Sequence, residues 1–394
     1  MFLTATNLLA YLTDVGLASG ADIVDHDVSI IEIGRRNRNF RVMLSSRPSL
    51  FVKQVPVVVP ETRLALLREA AAGQLAIEEA GLPTLAAVIP RLLRYDPHHH
   101  VLVHEVIPGA RCIAEVLLHP AGIACDLVGA VAATLGRIHR ESARAGSLAR
   151  VASCLGGEAP WVVEIGEKAE RIMPTMDGAS RELVTAIRSS PVLSASLASL
   201  GRDWRRTALM HGDFKWDNIV VAPGSDGGRQ IHIVDWELCN VGDPLWDVAG
   251  MMAALLQIWL LGGALGGDSR PAPQPPGAVP IAFVQCAAVC AWHAYSGEAW
   301  PLGDGAVLAQ RRLALLTGAR LVLMAFELSQ RLDRITPAAA TAMSLAACFF
   351  SQPERALHDM LGLQPLAPSH ARNTPSDRPW RLAAAQLPVQ ENMT

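Results

Sequence analysis

The first hundred residues combine two kinds of hydrophobic pattern. Five segments in which apolar side chains alternate or cluster over short runs are predicted as strands: residues 28–33, 40–44, 49–55, 86–95 and 99–107. Between the third and fourth of these, an Ala- and Leu-rich stretch at 61–79 has the helical period, with Thr62 as its expected N-cap. The predicted order is β-β-β-α-β-β, and its first three strands form an antiparallel meander.

The rest of the chain is dominated by helical patterns. Residues 125–142 predict one amphipathic helix, and residues 161–200 predict two more. Two strand-like segments at 218–222 and 231–236 flank a glycine-rich turn, which is typical of a hairpin. From about residue 364 onward the sequence is polar and rich in proline, and a flexible tail is expected there.

Two apolar segments bear on membrane association. The N-terminal segment 1–17 has no basic leader and carries Asp14, so it predicts a short amphipathic helix and not a signal peptide. Residues 248–267 are uncharged and long enough to cross a bilayer. Because this run contains several glycines and follows directly on a polar motif, we expect a buried core helix, with a membrane span as the alternative.

Composition excludes some classes of protein. Of 394 residues, 51% are hydrophobic and 18% are charged, which is too apolar for a disordered chain. A net charge of −3 gives no support for a nucleic-acid partner or for attraction to anionic lipid. The basic residues are nearly all arginine, so the three lysines, Lys53, Lys168 and Lys215, are each candidates for a site that needs a compact charge.

The cysteines and clustered histidines do not predict a metal site. The seven cysteines contain no CxxC pair, and Cys286 and Cys290 are expected to be helix neighbours in an apolar run, so neither a disulfide scaffold nor a zinc site is expected. This cysteine usage fits a reducing cytoplasm. The run His98–His100 falls in a predicted turn. Trp292, Tyr295 and Trp300 are compatible with helix packing or with a cation–π cage, and packing is favoured.

Three polar motifs follow one another between residues 211 and 247. They are HGDFKWDN at 211–218, IVDWE at 233–237 and DPLWD at 243–247. Together they resemble the signature of the aminoglycoside phosphotransferase and choline kinase superfamily, whose members are bilobal enzymes with a protein-kinase-like fold. Within the first motif, Asp, Lys at +2 and Asn at +5 match the spacing of the protein-kinase catalytic loop.

The resemblance implies a role for each polar residue of these motifs. Asp213 would orient the acceptor hydroxyl and receive its proton, and Lys215 would point at the γ-phosphate. Asn218 and Asp235 would be oxygen ligands of Mg²⁺. His211 would brace the catalytic loop, and Asp247 would tether it. Asp217 and Glu237 remain open, either facing a cationic acceptor or facing solvent.

The same resemblance assigns nucleotide-binding residues to the N-terminal part. Lys53, on a predicted strand, would hold the α- and β-phosphates, with Glu69 on the next helix as its ion-pair partner. Gly34 lies where a phosphate-binding loop is expected, although there is no GxGxxG pattern. The backbone of Glu105 and Val106, in a hinge that begins at His104, would hydrogen-bond the adenine edge.

These observations predict an α+β fold with a small antiparallel-sheet lobe at 1–104, a hinge at 105–108, a larger helical lobe at 109–363 and a tail at 364–394. The predicted activity is transfer of phosphate from ATP, with Mg²⁺, to a hydroxyl of a small molecule resembling an aminoglycoside, choline, homoserine or a macrolide. Cytoplasmic location, with no nucleic-acid or membrane partner, is expected. Oligomeric state, nucleotide preference and the acceptor stay open.

Three alternatives remain from the sequence. A kinase of proteins or peptides is disfavoured because there is no room for a long activation loop between Trp236 and Asp243. A non-catalytic nucleotide-binding pseudokinase is disfavoured because all four key polar residues are present: Lys53, Asp213, Asn218 and Asp235. The third is a membrane protein built around residues 248–267.

Overall fold

The computed structural model describes residues 2–24, 28–33, 38–45, 47–55, 59–119, 122–224, 227–262, 279–299 and 305–364. The strands are β1 (Val28–Glu32), β2 (Arg38–Leu44), β3 (Leu50–Gln54), β4 (Leu92–Asp96), β5 (Val101–Glu105), β6 (Arg111–Cys112), β7 (Leu118–His119), β8 (Gly122–Ile123), β9 (Ala208–Met210), β10 (Ile219–Pro223), β11 (Arg229–Ile233) and β12 (Asn240–Gly242).

The α-helices are distributed along the whole chain. They are α1 (Leu8–Asp14), α2 (Gly20–Val24), α3 (Pro60–Glu78), α4 (Pro83–Val88), α5 (Ala114–Leu117), α6 (Cys125–Ser142), α7 (Ala145–Cys154), α8 (Ile165–Ile172), α9 (Gly178–Ser189), α10 (Pro191–Arg202), α11 (Leu245–Leu260), α12 (Ile281–Ala299), α13 (Ala306–Ser329), α14 (Pro337–Ser351) and α15 (Pro353–Leu361). Short 3₁₀ turns follow β9 and β11, at Trp216–Asn218 and Trp236–Leu238.

The N-terminal strands form one five-stranded antiparallel sheet in the order β1-β2-β3-β5-β4. Its period-two alternation gives the sheet two different faces. Phe40, Val42 and Val52 point to one face, where they pack with Leu8 and Leu12 of α1 in a buried core. The alternate positions point to the other face, which α3 partly covers.

Several predicted elements need correction. Residues 86–95 are not one strand, because α4 includes residues 86–88 and β4 begins at Leu92. A run of apolar residues this short does not distinguish a strand from a buried helix, and Pro83 at the first turn favours the helix. Thr62 is not the N-cap of α3. The helix begins at Pro60, and the Thr62 hydroxyl accepts the N–H of Val59 at 3.0 Å.

Other predictions are confirmed. The antiparallel meander, the N-terminal helix and the hairpin of β10 and β11 all form, and the predicted helix at 125–142 matches α6. Residues 161–200 hold three α-helices, α8, α9 and most of α10, where two were predicted. The tail from residue 365 lies outside the described residues.

The uncharged run at 248–267 is helical over its first part. It belongs to α11, nearly all of whose side chains are buried and which packs against α12 and α13, as expected of a core helix. Within the described residues, no single helix is both long and apolar enough to cross a bilayer. The pair α9 and α10 meets the length and composition criteria only when taken together, and it is bent by 92°.

The chain divides into two compact units. The first comprises Met1–Ile113, Glu141–Glu158 and Arg206–Gly242, and the second comprises Ala114–Arg140, Ala159–Arg205 and Asp243–Thr394. The first unit therefore contains the five-stranded sheet together with the segment that carries the first two polar motifs. The sequence assigns that segment to the helical lobe, and the division into lobes stays a prediction.

Candidate active site

Lys53 is a buried cationic residue of the first unit. Strand β3 places it opposite Leu102 of β5, on the sheet face that α3 covers, and its side chain is only 5% exposed. Its Nζ donates to Glu69 Oε2 on α3 at 2.7 Å. Burial alone lowers the pKa of Lys53, but the carboxylates of Glu69, Asp235 and Glu237 outweigh that effect and raise it well above its usual value. Lys53 is therefore held as an ammonium ion.

Two further carboxylates meet the same ammonium group. Asp235 Oδ1 lies 2.7 Å and Glu237 Oε2 lies 2.8 Å from Lys53 Nζ. The sequence leaves the role of Glu237 open between a contact with a cationic acceptor and exposure to solvent, and the structure places it against Lys53. Three carboxylates around one ammonium leave a local excess of negative charge, which is the electrostatic setting that a divalent cation favours.

Asp235 has a strained backbone. It follows β11 and has φ 63° and ψ 56°, the left-handed conformation that is uncommon for residues other than glycine. Aspartate and asparagine tolerate this conformation better than most residues, and such outliers concentrate at functional sites. The turn aims the Asp235 carboxylate at Lys53, while the following residue, Trp236, is buried and donates its indole N–H to Ile233 O at 2.8 Å.

The catalytic-loop motif begins where β9 ends. His211 is buried, its Nδ1 accepts the backbone N–H of Asp213 at 3.3 Å, and its Nε2 lies 2.9 Å from Val234 O. Because Nδ1 accepts, Nε2 carries the proton and donates to the carbonyl. The imidazole thus joins the loop to the residue preceding Asp235, which is the bracing geometry expected for His211.

Gly212 is required by the path of this loop. Its φ of +86° lies in the region that favours glycine, and a Cβ there would overlap the carbonyl group of Leu238. The close approach brings the loop against the 3₁₀ turn that follows Asp235. The two motifs therefore depend on each other for their positions.

Asp213, Lys215 and Asn218 form one hydrogen-bonded group. Lys215 Nζ lies 2.8 Å from Asp213 Oδ2. The amide Nδ2 of Asn218 donates to the backbone oxygen of Asp213 at 2.8 Å and to its Oδ2 at 3.2 Å. Since the amide nitrogen of Asn218 is committed to Asp213, its amide oxygen is the atom left to meet a cation.

A cavity of about 430 Å³ in the first unit is lined by members of both groups, although Asp213 and Lys215 are not among its lining residues. Its polar lining includes Lys53, Glu69, Asn218 and Asp235 of the predicted site, together with Asp217. Apolar side chains from β3, the loop before β4 and β10 complete the walls. A pocket that is mostly apolar with a few convergent charged groups is typical of a small-ligand site.

The sequence does not identify Arg41 as a site residue, and it locates His104 only approximately. Arg41 lines the cavity, and its Nε is buried without a hydrogen-bond partner among the described residues. The signal was available, since Arg41 stands two residues after Asn39, which pairs with Lys53 across the strands, so all three share a face. His104, assigned to the hinge by strand order, is buried with Nε2 3.6 Å from Glu69 Oε1, and burial lowers its pKa.

The hinge needs one correction. Val106 lines the cavity, but its backbone N–H donates to Ser49 O at 2.8 Å, so this group is already used. The next residue, Ile107, also lines the cavity, and its N–H has no acceptor among the described residues. Glu105 lines the cavity as well.

Gly34 lies outside the described residues, and Arg38 pairs with Glu32 at 2.6 Å.

Several of the remaining candidates belong to the second unit. Asp247 is fully buried, and its Oδ2 lies 3.3 Å from Nε2 of His139. The His139 Nδ1 in turn meets the Tyr295 hydroxyl at 3.0 Å. Tyr295 and Trp292 are buried in this unit, which fits packing, and Trp300 lies outside the described residues. In the turn before β5, His99 pairs with Asp96 at 2.9 Å.

Comparison with known families decides the class of protein. Residues 27–270, more than half of the chain, match the model of the Phosphotransferase enzyme family. The chain belongs to this family. The resemblance that the motifs predicted is therefore confirmed, as is the enzyme class, a small-molecule phosphotransferase.

Solved structures support the fold of this phosphotransferase. A choline kinase from Cryptosporidium parvum Iowa II superposes with a TM-score of 0.55 at 12% identity, covering 92% of this chain and 98% of that one. A choline/ethanolamine kinase family protein from Mesorhizobium loti gives a TM-score of 0.51 at 16% identity, covering 89% and 97%. At such identities the likeness shows the fold alone, and it confirms the predicted α+β, protein-kinase-like architecture.

Curated relatives match over shorter segments. The phosphotransferase is 31% identical over 133 residues to acyl-CoA dehydrogenase family member 11 of Mus musculus, which is 33% of this chain and 15% of that protein. It is 51% identical over 41 residues to the Homo sapiens protein of the same name, covering 10% of this chain. The chain thus spans only a small part of the length of these relatives.

Proposed function

We propose that this phosphotransferase moves the γ-phosphoryl group of Mg-ATP to a hydroxyl group of a small molecule. The proposal rests on the position of Asn218, which lies between two groups of charged residues. Asn218 lines the same cavity as Lys53 and Asp235, and its amide nitrogen is hydrogen-bonded to Asp213. A phosphate-binding set and a proton acceptor are therefore next to each other in the first unit.

The sheet side of the cavity suits a nucleotide. Lys53 and Arg41 supply positive charge for the phosphate oxygens, and the Ile107 N–H and Glu105 carbonyl are proposed as the adenine contacts. Glu69 fixes the position of Lys53 from the buried side. Because Lys53 also contacts Asp235 and Glu237, phosphate binding would replace carboxylate contacts of the ammonium group and release Asp235 for another partner.

The donor atoms fit Mg²⁺. The carboxylate of Asp235 and the amide oxygen of Asn218 are hard oxygen ligands, which is the type that Mg²⁺ prefers and about the number of protein ligands that it takes beside phosphates and water. Bound there, the ion would neutralise charge on the phosphate oxygens. The left-handed backbone of Asp235 serves to keep its carboxylate at the cavity.

Asp213 would handle the proton of the acceptor. As the acceptor oxygen bonds to phosphorus and the bond to the ADP oxygen breaks, the hydroxyl proton passes to the Asp213 carboxylate. Lys215, 2.8 Å from that carboxylate, is near enough to stabilise charge on the moving phosphoryl group. Asn218 holds the orientation of Asp213 through two hydrogen bonds.

A small acceptor is favoured over a peptide. The 3₁₀ turn Trp236–Leu238 leads within two residues into β12, which pairs with β9, so this segment contains no long loop for holding an extended chain. The names of the structural relatives keep choline among the candidate acceptors and add ethanolamine. The mouse relative's name contains acyl-CoA, and because the proposed transfer needs a hydroxyl group, an acyl-CoA that carries one is a further candidate.

The test is acceptor-stimulated ADP release from Mg-ATP by the purified chain. The panel would hold choline, ethanolamine, homoserine, aminoglycosides, macrolides, sugars and a hydroxylated acyl-CoA. With the stimulating acceptor, Asp213→Asn should lower turnover by about 10²–10⁴-fold while nucleotide affinity is nearly unchanged. Asp14→Asn, an exposed change on α1, is the matched control and should have no effect. Full turnover by Asp213→Asn would refute the proposed role.

A further inference from the structure

Three cysteines converge in the second unit, and none of them belongs to the proposed phosphoryl-transfer site. Cys125 begins α6, and Cys286 and Cys290 lie one turn apart on α12. Their three Sγ atoms all lie within 4.8 Å of one another, and Cys125 Sγ is 3.2 Å from Cys286 Sγ. Cys286 and Cys290 are helix neighbours, as their spacing predicts, whereas nothing in the sequence places Cys125 beside them.

Contacts other than sulfur hold these two helices together. Gly136 of α6 lies so close to α12 that a Cβ there would be 2.8 Å from the carbonyl oxygen of Tyr295. Arg137 and Arg140 of α6 both pair with Glu298 of α12, at 3.2 and 2.8 Å. The packing of the helices therefore places the three sulfur atoms together without needing a bond between them.

We propose that Cys125, Cys286 and Cys290 form a binding site for one thiophilic d¹⁰ cation, of which Zn²⁺ is the probe. A disulfide would use two of the sulfurs and leave the third without a purpose, whereas three sulfurs at one point form a donor set that soft cations select. All three cysteines are partly exposed, so a cation can enter and a fourth ligand from solvent can complete a tetrahedron. This proposal is independent of phosphoryl transfer.

Binding of Zn²⁺ would change the protonation of the three cysteines, but it would not change the oxidation state of sulfur or metal. Three thiols release three protons to solvent as three sulfur–metal bonds form, and three thiolates with Zn²⁺ leave a net charge of −1. The site lies at the first residue of the 18-residue helix α6, where the helix dipole favours negative charge. Metal binding would then fasten α6 to α12 at the end opposite the Glu298 ion pairs.

The experiment uses the full chain, reduced and freed of metal, and titrates Zn²⁺ against a chromophoric chelator. One equivalent should bind with Kd tighter than about 1 μM, and Co²⁺ in its place should give the thiolate charge-transfer absorption of a sulfur site. Cys286→Ser and Cys290→Ser should each weaken Zn²⁺ binding by about 100-fold or more, since even residues that only support a ligand are worth 10–100-fold.

Exposed cysteines provide the matched controls. Cys154→Ser and Cys348→Ser should leave both the stoichiometry and the affinity for Zn²⁺ unchanged. The proposal is overturned if the reduced chain binds no Zn²⁺, or if Cys286→Ser binds it as tightly as the wild type. It is also overturned if the purified protein proves to hold a Cys125–Cys286 disulfide, which peptide mass mapping would detect.

Discussion

Among the residues outside the sequence motifs, Arg41 is the one to which the geometry of the cavity gives the most specific role. Its guanidinium group lines the cavity, and its Nε is buried without a protein partner among the described residues, so a ligand oxygen is the natural acceptor. Arg41→Ala should therefore raise KM for the nucleotide about tenfold, as expected for one charge-assisted hydrogen bond, with a smaller effect on kcat. Steady-state kinetics over a range of ATP concentration measures both.

Arg38→Ala is the control for Arg41→Ala. Arg38 lies on the same strand but pairs with Glu32 and does not line the cavity, so its loss should leave KM for the nucleotide unchanged. Equal effects of the two changes would mean that Arg41 acts through general surface charge, and that the cavity does not bind the phosphates.

The sequence predicts which single residues lie together well where the chemistry requires a short, fixed spacing between them. Asp213, Lys215 and Asn218 stand on one loop, so their short separation in sequence already implies proximity, and the structure brings them together. Glu237 was ambiguous because its contact with Lys53 joins residues 184 positions apart. Contacts between residues so far apart in sequence depend on the packing of the whole first unit. Local sequence patterns carry no information about that packing.

Among the elements, the loop after β9 depends on a glycine. Gly212→Ala should lower the free energy of unfolding by about 3 kcal/mol or more, because a side chain at φ +86° is strained and its Cβ would overlap the Leu238 carbonyl. Urea denaturation measures the change. Gly16→Ala, at φ +77° with open space around it, should show only the backbone strain, about 1 kcal/mol. If both variants lost the same free energy, close packing at Gly212 would not contribute.

The turn between β4 and β5 gives an element-scale dependence on pH. Asp96 is buried, which raises its pKa, but hydrogen bonds from His99, from backbone N–H groups and from the Tyr11 hydroxyl prevail and lower the pKa to about 2. The unfolded carboxyl titrates near 3.8. This stabilisation is thus complete above about pH 4 and is lost as pH falls through 2.

Asp96→Asn should accordingly destabilise the protein by about 2 kcal/mol at pH 7. The difference from wild type should shrink as the pH is lowered from 4 to 2, because protonation then removes the same interactions from the wild-type protein. Urea denaturation at pH 7, 4 and 2.5 tests this. A difference that stayed constant over that range would show that the side chain acts through its shape and not through its charge.

Elements were predicted reliably where the hydrophobic period was long or strictly alternating. The meander of β1, β2 and β3 and the 18-residue helix α6 meet that condition. The segment 86–95 does not, because it contains a helix end, a proline and a strand within ten residues. Its pattern is too short for either period to be established, and the packing of α4 against α3 and β11 decides the outcome.

At the scale of the molecule, the class of fold could be predicted from the sequence, whereas contacts between remote segments could not. The segment Arg206–Gly242 is distant in sequence from the N-terminal sheet, yet it belongs to the same compact unit, where Asp235 and Glu237 meet Lys53. The convergence of Cys125 with α12 is a second example. Both depend on contacts between remote segments, for which periodicity carries no information.

If Mg-ATP binds the folded state through this cavity, it should stabilise the whole protein by mass action. At a nucleotide concentration of 100 times Kd the gain is about 2.7 kcal/mol, which appears as a rise in Tm. The rise should require Mg²⁺ and should be much smaller when ATP is added with a chelator, because Asp235 and Asn218 then have no cation to hold between themselves and the phosphates.

Asp235→Asn separates magnesium binding from nucleotide binding in this measurement. The change removes one carboxylate near Lys53 but leaves Glu69 and Glu237 to hold the ammonium group, so the ligand-free Tm should fall only modestly. The additional Tm rise produced by Mg²⁺ should be lost, while the small rise with ATP alone should persist through Lys53 and Arg41. A full Mg²⁺-dependent rise in Asp235→Asn would place the metal elsewhere, and no rise with any nucleotide in the wild type would refute nucleotide binding at this cavity.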